Sequence, residues 1–425
     1  MENEILVSSA LSLSSTIKFI FNRIEVFFFN PLILFWIQFR YNKNGNLIPI
    51  LMLTAKSSVH FLEHDPELAH RWSISKAQEW FDKHGWVVGC NYIPSNAINQ
   101  LEMWQEETFS PELIDNELGK AAELGFNTIR VFLHTLLWQE NSEGYLNRID
   151  LFLSIAHKHG IKTMLVLFDS VWDPFPKLGQ QPEPKFNVHN SGWVQCPGYD
   201  ILNDPLKYDE LREYVQGVVS RFKNDERVLI WDLFNEPDNM NLTSYKDDDY
   251  SHHKAELSIL LLKKTINWVR IVNADQPITM APWKEDWSSD DVLTALDNYM
   301  FTHSDIISFH CYEDRKEMET RIKALQRFGR PMLCTEYMAR PFKNTFQEIL
   351  PLLKEYNVGA YNWGLVEGKT QTHCPWDSWS TRYDDEPELW FHDIFRKNGE
   401  PYIKNEIEFL QEITKEKVHK FTKVA

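Results

Sequence analysis

From Trp86 onward the chain alternates between two hydrophobic patterns. Eight short runs are apolar at nearly every position. They are WVVGCNY (86–92), NTIRVFLH (127–134), KTMLVLFD (162–169) and VLIWDLFNE (228–236), then PITMAPW (277–283), IISFHCYE (306–313), PMLCTEYM (331–338) and AYNWGLVE (360–367). Runs this short, apolar at successive rather than alternate positions, mark strands buried on both faces. Between them lie stretches of 3.6-residue period. SPELIDNELGKAAELGF places Ser110 as a helix N-cap, Pro111 at the first helical position and Gly125 near the stop. NRIDLFLSIAHKHG ends on a basic turn and Gly160, and LREYVQGVVSRF, KAELSILLLKKTINWVRIV, KEMETRIKALQRFG and TFQEILPLLKEY repeat the period. Eight buried strands with helical crossovers predict an α/β fold, a (β/α)₈ TIM barrel. A doubly wound open sheet is the structural alternative. It usually opens with a glycine-rich phosphate turn after its first strand, and GCNYIPSNAINQ is not one.

Two excursions interrupt the regular spacing, at residues 170–205 and 368–392. Both follow strands, so both are expected at the C-terminal face of the barrel, where long structured loops shape a cleft. The barrel domain is expected over residues 72–416. Residues 1–60 fall outside it: their longest uncharged stretch, Val26 to Phe39, is short of the roughly 20 residues that a spanning helix needs. LIPILMLTAKSS ends in small residues like a signal-peptide cleavage site. The segment therefore reads as an export or anchor segment or an upstream extension. An extracytoplasmic or secreted location is the expectation, with a membrane involved only if this segment anchors the chain.

Composition narrows the partners. A formal net charge of −17 argues against nucleic acid, whose phosphates need Lys and Arg. Aromatic residues reach 14%, with 16 Trp, and some of these indoles are expected to line an exposed cleft. The five cysteines, Cys90, Cys196, Cys311, Cys334 and Cys374, are scattered without a C-x-x-C pair, which makes a zinc or iron–sulfur site improbable.

In a barrel the chemistry sits at the C-terminal ends of the strands. The polar residues late in the apolar runs are Arg130, Asp169, Asn235, Glu236, His310, Tyr312, Glu336, Asn362 and, beside it, Trp363. Pro237 rigidifies the exit after Asn235 and Glu236 and fixes where they point. Glutamates on strands four and seven, facing each other across the barrel mouth, suit double displacement at an acetal, one protonated to donate and one ionised to attack. Arg130 would hold the nucleophile ionised and Tyr312 donate a hydrogen bond to it. His310 would contact substrate or the acid, and Trp363 offers a flat face on which a pyranose can stack. A satisfied core pair is the bland assignment for His310 and Tyr312; their i, i+2 spacing favours the site.

WDLFNEP (231–237), TEY (335–337), HCY (310–312) and IRVF (129–132), in this combination, resemble the signature of glycoside hydrolase family 5, the cellulase type among (β/α)₈ retaining glycosidases. The resemblance spans roughly Trp72 to Glu416. It implies Glu236 as acid/base, Glu336 as nucleophile and Asn235 bonded to the sugar 2-hydroxyl, with Arg130, His310, Tyr312 and Trp363 as supporting residues. One departure stands out: many members have a histidine just after strand three, where VLFDSVWDP offers Asp169 and Trp172 instead.

The expected activity is thus an O-glycosyl hydrolase acting with retention on a β-linked carbohydrate such as glucan, mannan or xylan. Neither cofactor nor metal is implied, for no H-x-H follows the first strand and no H-E-x-x-H occurs. No protein partner is implied either. A catalytically silent carbohydrate-binding barrel would keep the Trp-rich cleft and lose a carboxylate, whereas a transglycosylase would use the same residues. One sequon, Asn241-Leu242-Thr243, follows the strand-four motif.

Overall fold

The computed structural model describes residues 68, 70–245, 253–284 and 286–415 in full, and of the preceding segment only the backbone of five strands. The chain divides into two units, Met1–Asp65 and Pro66–Ala425. In the first, Ile5–Ser8, Ser14–Ile20, Arg23–Asn30, Ile33–Tyr41 and Leu47–Leu53 pair in sequence as an antiparallel sheet. Whether this unit is an export segment, an anchor or an extension turns on side chains and linking residues outside the described ones.

The second unit is an eight-stranded parallel barrel. Its strands are β1 (Val88–Asn91), β2 (Thr128–Phe132), β3 (Lys162–Val166) and β4 (Val228–Asn235), then β5 (Ile278–Ala281), β6 (Ile307–His310), β7 (Met332–Tyr337) and β8 (Gly359–Trp363). They pair in the order β5-β4-β3-β2-β1-β8-β7-β6. β6 approaches β5 to complete the ring: the Asp305 N–H donates to the Ile278 carbonyl and the His310 N–H to that of Pro282. Each of the eight apolar runs supplies one strand, and helices fill the crossovers.

Burial explains the continuous apolar pattern. On β2, Ile129 and Val131 pack outward into the main core under the helices, while Thr128 and Arg130 point into the barrel. The bottom of the barrel is apolar: Met164, Ile230, Leu333 and Tyr361 pack there against Ala77 and Phe81 of the helix Ile74–His84. The top is polar. All five cysteines are buried free thiols.

Two local expectations shift. Helix Pro111–Glu123 begins after Ser110, but the serine makes no side-chain cap; its hydroxyl instead accepts from Asn96 and donates to the Thr108 carbonyl. The helix read from NRIDLFLSIAHKHG starts earlier, at Thr135, and runs to Lys158 through a kink at Asn141.

Candidate active site

Arg130 is the hub on which the site is built. Its Nε and Nη2 donate to Asp232 Oδ2 at 2.9 and 2.8 Å, and Nη2 also donates to Asn235 Oδ1 at 2.7 Å. Nη1 donates to Asn91 Oδ1 at 2.8 Å and to Glu336 Oε1 at 3.0 Å. These bonds use all five guanidinium N–H groups, in a fork geometry that lysine cannot reproduce. Arg130 and Asp232 are both fully buried, so the ion pair is shielded from water and salt. One cation thereby fixes the ends of β1, β2, β4 and β7 relative to one another.

Neighbouring residues on a regular strand point to opposite faces, yet Asn235 and Glu236 line one cavity. The backbone supplies the reason. Glu236 has φ +43°, in the left-handed region, a conformation that costs a non-glycine residue about 1–3 kcal/mol. This break in the strand, held by the proline that follows, turns Glu236 toward the same side as Asn235. Asp169 bonds the other end of the asparagine amide: Asn235 Nδ2 donates to Asp169 Oδ1 at 2.9 Å. Asp169 Oδ2 in turn accepts from Trp193 Nε1 at 2.6 Å and from Gln100 at 3.1 Å.

The two glutamates have unequal company. Glu336 accepts from the Arg130 cation and, through Oε2, from Tyr312 at 2.8 Å. Glu236 accepts from the neutral Asn239 amide at 2.6 Å and lies 2.8 Å from His310 Nδ1. Burial lowers the His310 pKa to about 4, so that contact is a hydrogen bond to a neutral ring rather than an ion pair. His310 Nε2 is 3.6 Å from Glu336 Oε1, so the ring spans the gap between the carboxyls. One carboxylate oxygen of each glutamate and a ring nitrogen of His310 all lie within 4.8 Å of one another.

Burial pushes both carboxyls up to about 7, Glu236 with added repulsion from Asp238 and Glu336 with added repulsion from Glu236. Two carboxylates this close do not ionise independently, and the pair retains one proton over a range of pH. That proton belongs on Glu236. Arg130 and Tyr312 stabilise charge on Glu336, whereas Glu236 has only neutral donors in direct contact.

A cavity of about 380 Å³ opens over the pair, lined among others by Trp172, Asn235, Glu236, Tyr312, Glu336 and Trp363. The remaining expected site residues, Arg130 and His310, lie behind the carboxyls with 0% and 1% exposure and reach a bound molecule through them. Trp193, Trp283 and Trp376 line the cavity as well. Sequence reading did not single these out, because Trp193 and Trp376 sit in long loops that carry no periodicity and Trp283 closes the apolar run PITMAPW, where a Trp reads as core. It also passed over Asn91 and Asp232, although each is a polar residue inside a strand-like run. Asn239 carried no signal at all.

The family model for Cellulase (glycosyl hydrolase family 5) matches residues 95–369, well over half of the chain. The chain belongs to glycosyl hydrolase family 5. Among curated proteins this family 5 chain is similar to a probable mannan endo-1,4-beta-mannosidase A of Aspergillus clavatus, 29% identical over 92 residues. It is also similar to the mannan endo-1,4-beta-mannosidase A of Emericella nidulans, 28% identical over 92 residues. Each stretch covers 22% of this chain, and 23% and 22% of those relatives respectively, under a quarter of their length. Among solved structures, a GH5_18 protein from Bifidobacterium longum subsp. infantis gives a TM-score of 0.53 at 14% identity, over 79% of this chain and 80% of that one. An exo-beta-1,4-mannosidase from Opitutaceae bacterium strain TAV5 gives 0.52 at 18% identity, over 77% of this chain and 59% of that one. At these identities the likeness is one of fold.

Two further features of this family 5 site bear on its chemistry. The spacing of Glu236, His310 and Glu336 would also suit a cation, but the Arg130 guanidinium already supplies a positive charge 3.0 Å from Glu336. The sequon asparagine is buried, and Asn241 Nδ2 donates to the carbonyls of Ser170 and Asn239. In the folded chain that nitrogen is not available to accept a glycan.

Proposed function

We propose that this family 5 chain is a retaining glycoside hydrolase of β-linked mannosides. The observation that carries the reading is the carboxyl pair: an oxygen of Glu236 and one of Glu336 lie within 4.8 Å, and their hydrogen-bond partners are unequal. Oxygens this close accord with the roughly 5–5.5 Å separation of carboxyls in a double displacement better than with the about 6.5–9.5 Å of an inverting pair.

In the first step ionised Glu336 forms a bond to the anomeric carbon, while the glycosidic C–O bond breaks and its oxygen takes the Glu236 proton. In the second, Glu236 removes a proton from water, the water oxygen bonds to the same carbon, and the Glu336 ester bond breaks. We assign the second Nδ2 hydrogen of Asn235, not used by Asp169, to the sugar 2-hydroxyl, and Trp363, on the cavity wall, to stacking on the ring. Preference for mannose is supported by the names of the curated relatives and by no residue in particular. Turnover of β-1,4-mannan, β-1,4-glucan and xylan under matched conditions tests it, and a chain that leaves mannosides intact while cleaving another of these overturns it.

Two displacements give net retention. Proton NMR of the first product should show the anomer of the substrate, and initial release of the opposite anomer would exclude the mechanism.

The active form carries one proton, so activity should fall on the acid side as Glu336 is protonated and on the basic side, near pH 7, as Glu236 loses its proton. Burial raises that value, and the Asp238 charge adds to it, while the Asn239 amide, Arg130 and Lys284 oppose them. Lys254, buried and itself lowered to about 7, titrates over the same range. The assignment therefore rests on a variant. The Asn239 amide favours the charged form of Glu236, so Asn239→Ala should move the basic limb to higher pH. An unmoved limb would assign it to another group.

A further inference from the structure

The loops after β3 and β8 are zipped together across the barrel mouth. The Asn187 amide donates to the Tyr383 carbonyl at 3.0 Å, and the His189 N–H donates to Ser378 Oγ at 2.9 Å. The Asn190 N–H donates to the Thr370 carbonyl at 2.7 Å, and Gln371 Nε2 donates to the Lys185 carbonyl at 2.6 Å. Trp172 stacks on Trp379 with centroids 5.6 Å apart and an interplanar angle of 25°. Lys185 Nζ sits 4.4 Å from the centre of the other tryptophan ring in that stack, Trp379.

Strand order gives this contact its meaning. β3 and β8 are separated in the sheet by β2 and β1, so loops that meet must bridge the tops of both strands. The loop after β1 supports the bridge from below. There the Asn99 amide donates to Gln181 at 2.8 Å and to the Gly192 carbonyl at 2.8 Å, and the Lys369 N–H donates to the Ser95 carbonyl at 2.9 Å. His189 and Asn190 are 2% and 1% exposed, so the inner part of the seam is buried, while Lys185 at its outer edge is exposed. The roof is a built element, fixed at many points.

A glycan has a direction in this site. The sugar attacked at its anomeric carbon sits over Glu336 and against Trp363, on the β7–β8 side, and its leaving group sits by the acid on β4. Trp283, from the loop after β5, and Leu242, 60% exposed, line the cavity on the leaving-group side. The roof lies on the other side, where the next sugar toward the non-reducing end would have to run.

We propose that the interlocked loops make the cavity a blind pocket for a single terminal sugar, so that the chain removes residues one at a time from non-reducing ends instead of cutting inside a polymer. This rests on the hydrolase reading above, and it sets the chain apart from the curated relatives, whose names describe endo action.

The test uses the full chain and β-1,4-linked hexasaccharides of mannose, glucose and xylose, each marked with ¹⁸O at the reducing end and followed by mass spectrometry at low conversion. The expected first products are a labelled pentasaccharide and an unlabelled monosaccharide. Soluble mannan should gain reducing ends with little loss of viscosity. Labelled di-, tri- and tetrasaccharides at the earliest times, with a steep fall in viscosity, would overturn the blind pocket while leaving the hydrolase reading intact. Stepwise cleavage of the glucose or xylose series alone would support the pocket and remove the mannose preference. Failure to cleave any of the three or any aryl β-glycoside would overturn the hydrolase reading itself, and the pocket with it.

Discussion

Glu336→Gln is expected to lose turnover of every β-glycoside by about 10⁴-fold or more, because no other group within reach of the anomeric carbon can form the covalent intermediate. Glu236→Gln should behave differently. Its loss should be about 10²–10⁴-fold on an oligosaccharide, whose leaving alcohol needs a proton. On a dinitrophenyl glycoside, whose leaving group departs as a stable anion, the first step should proceed nearly as in the parent. Its covalent intermediate should then accumulate, because water lacks its base, and a burst of dinitrophenolate should precede a slow steady state. The basic limb of the pH profile should vanish for the burst. Equal losses on both substrates in Glu236→Gln would remove its assignment as the acid. Reversed behaviour of the two variants would exchange their roles.

Arg130→Met should carry the largest cost to stability in the barrel. The substitution leaves Asp232 buried without its cation, and breaking a buried pair in this way costs about 3–5 kcal/mol. Urea unfolding followed by fluorescence would register it as a lower midpoint at unchanged slope. Activity should fall for a separate reason. Without the guanidinium, Glu336 keeps its proton to higher pH, so the acid limb should move upward. Combining Arg130→Met with Asp232→Asn removes both buried charges and should recover part of the stability but none of the activity. Recovery of both together would mean that Arg130 acts only through the fold. Arg130→Lys should resemble Arg130→Met in activity, since one ammonium cannot serve acceptors on three other strands at once.

Several parts of this architecture are written in local pattern. A strand covered on both faces must be apolar at every position, and the eight runs from WVVGCNY to AYNWGLVE each became a strand. Glu236 and Glu336 stand out because a carboxyl at the end of such a run has no packing reason to be there. Arg130 was visible for the same reason. Asp232 and Asn91 were as visible in principle, but a polar residue inside or near the end of a strand reads as an interruption until its partner is known, and the partner of both is Arg130. The Ser110 cap failed as a local rule because Asn96, fourteen positions away, engages the hydroxyl. The sequon at Asn241 failed likewise: a three-residue motif does not report that its asparagine is buried against Ser170.

By itself, then, the sequence determined the barrel and singled out the two glutamates with Arg130 and Tyr312, because these follow from burial periodicity and from polar residues set against it; the family followed from the motifs WDLFNEP, TEY, HCY and IRVF. Tertiary structure supplied the physical reason for a role that the resemblance had only implied, the shared proton on Glu236, because that depends on which groups donate to each carboxyl across strands far apart in sequence. It alone revealed the left-handed turn that brings Asn235 and Glu236 to one side. It alone joined the loops after β3 and β8, whose contacts obey no period and arise only when closure of the barrel brings their roots within reach.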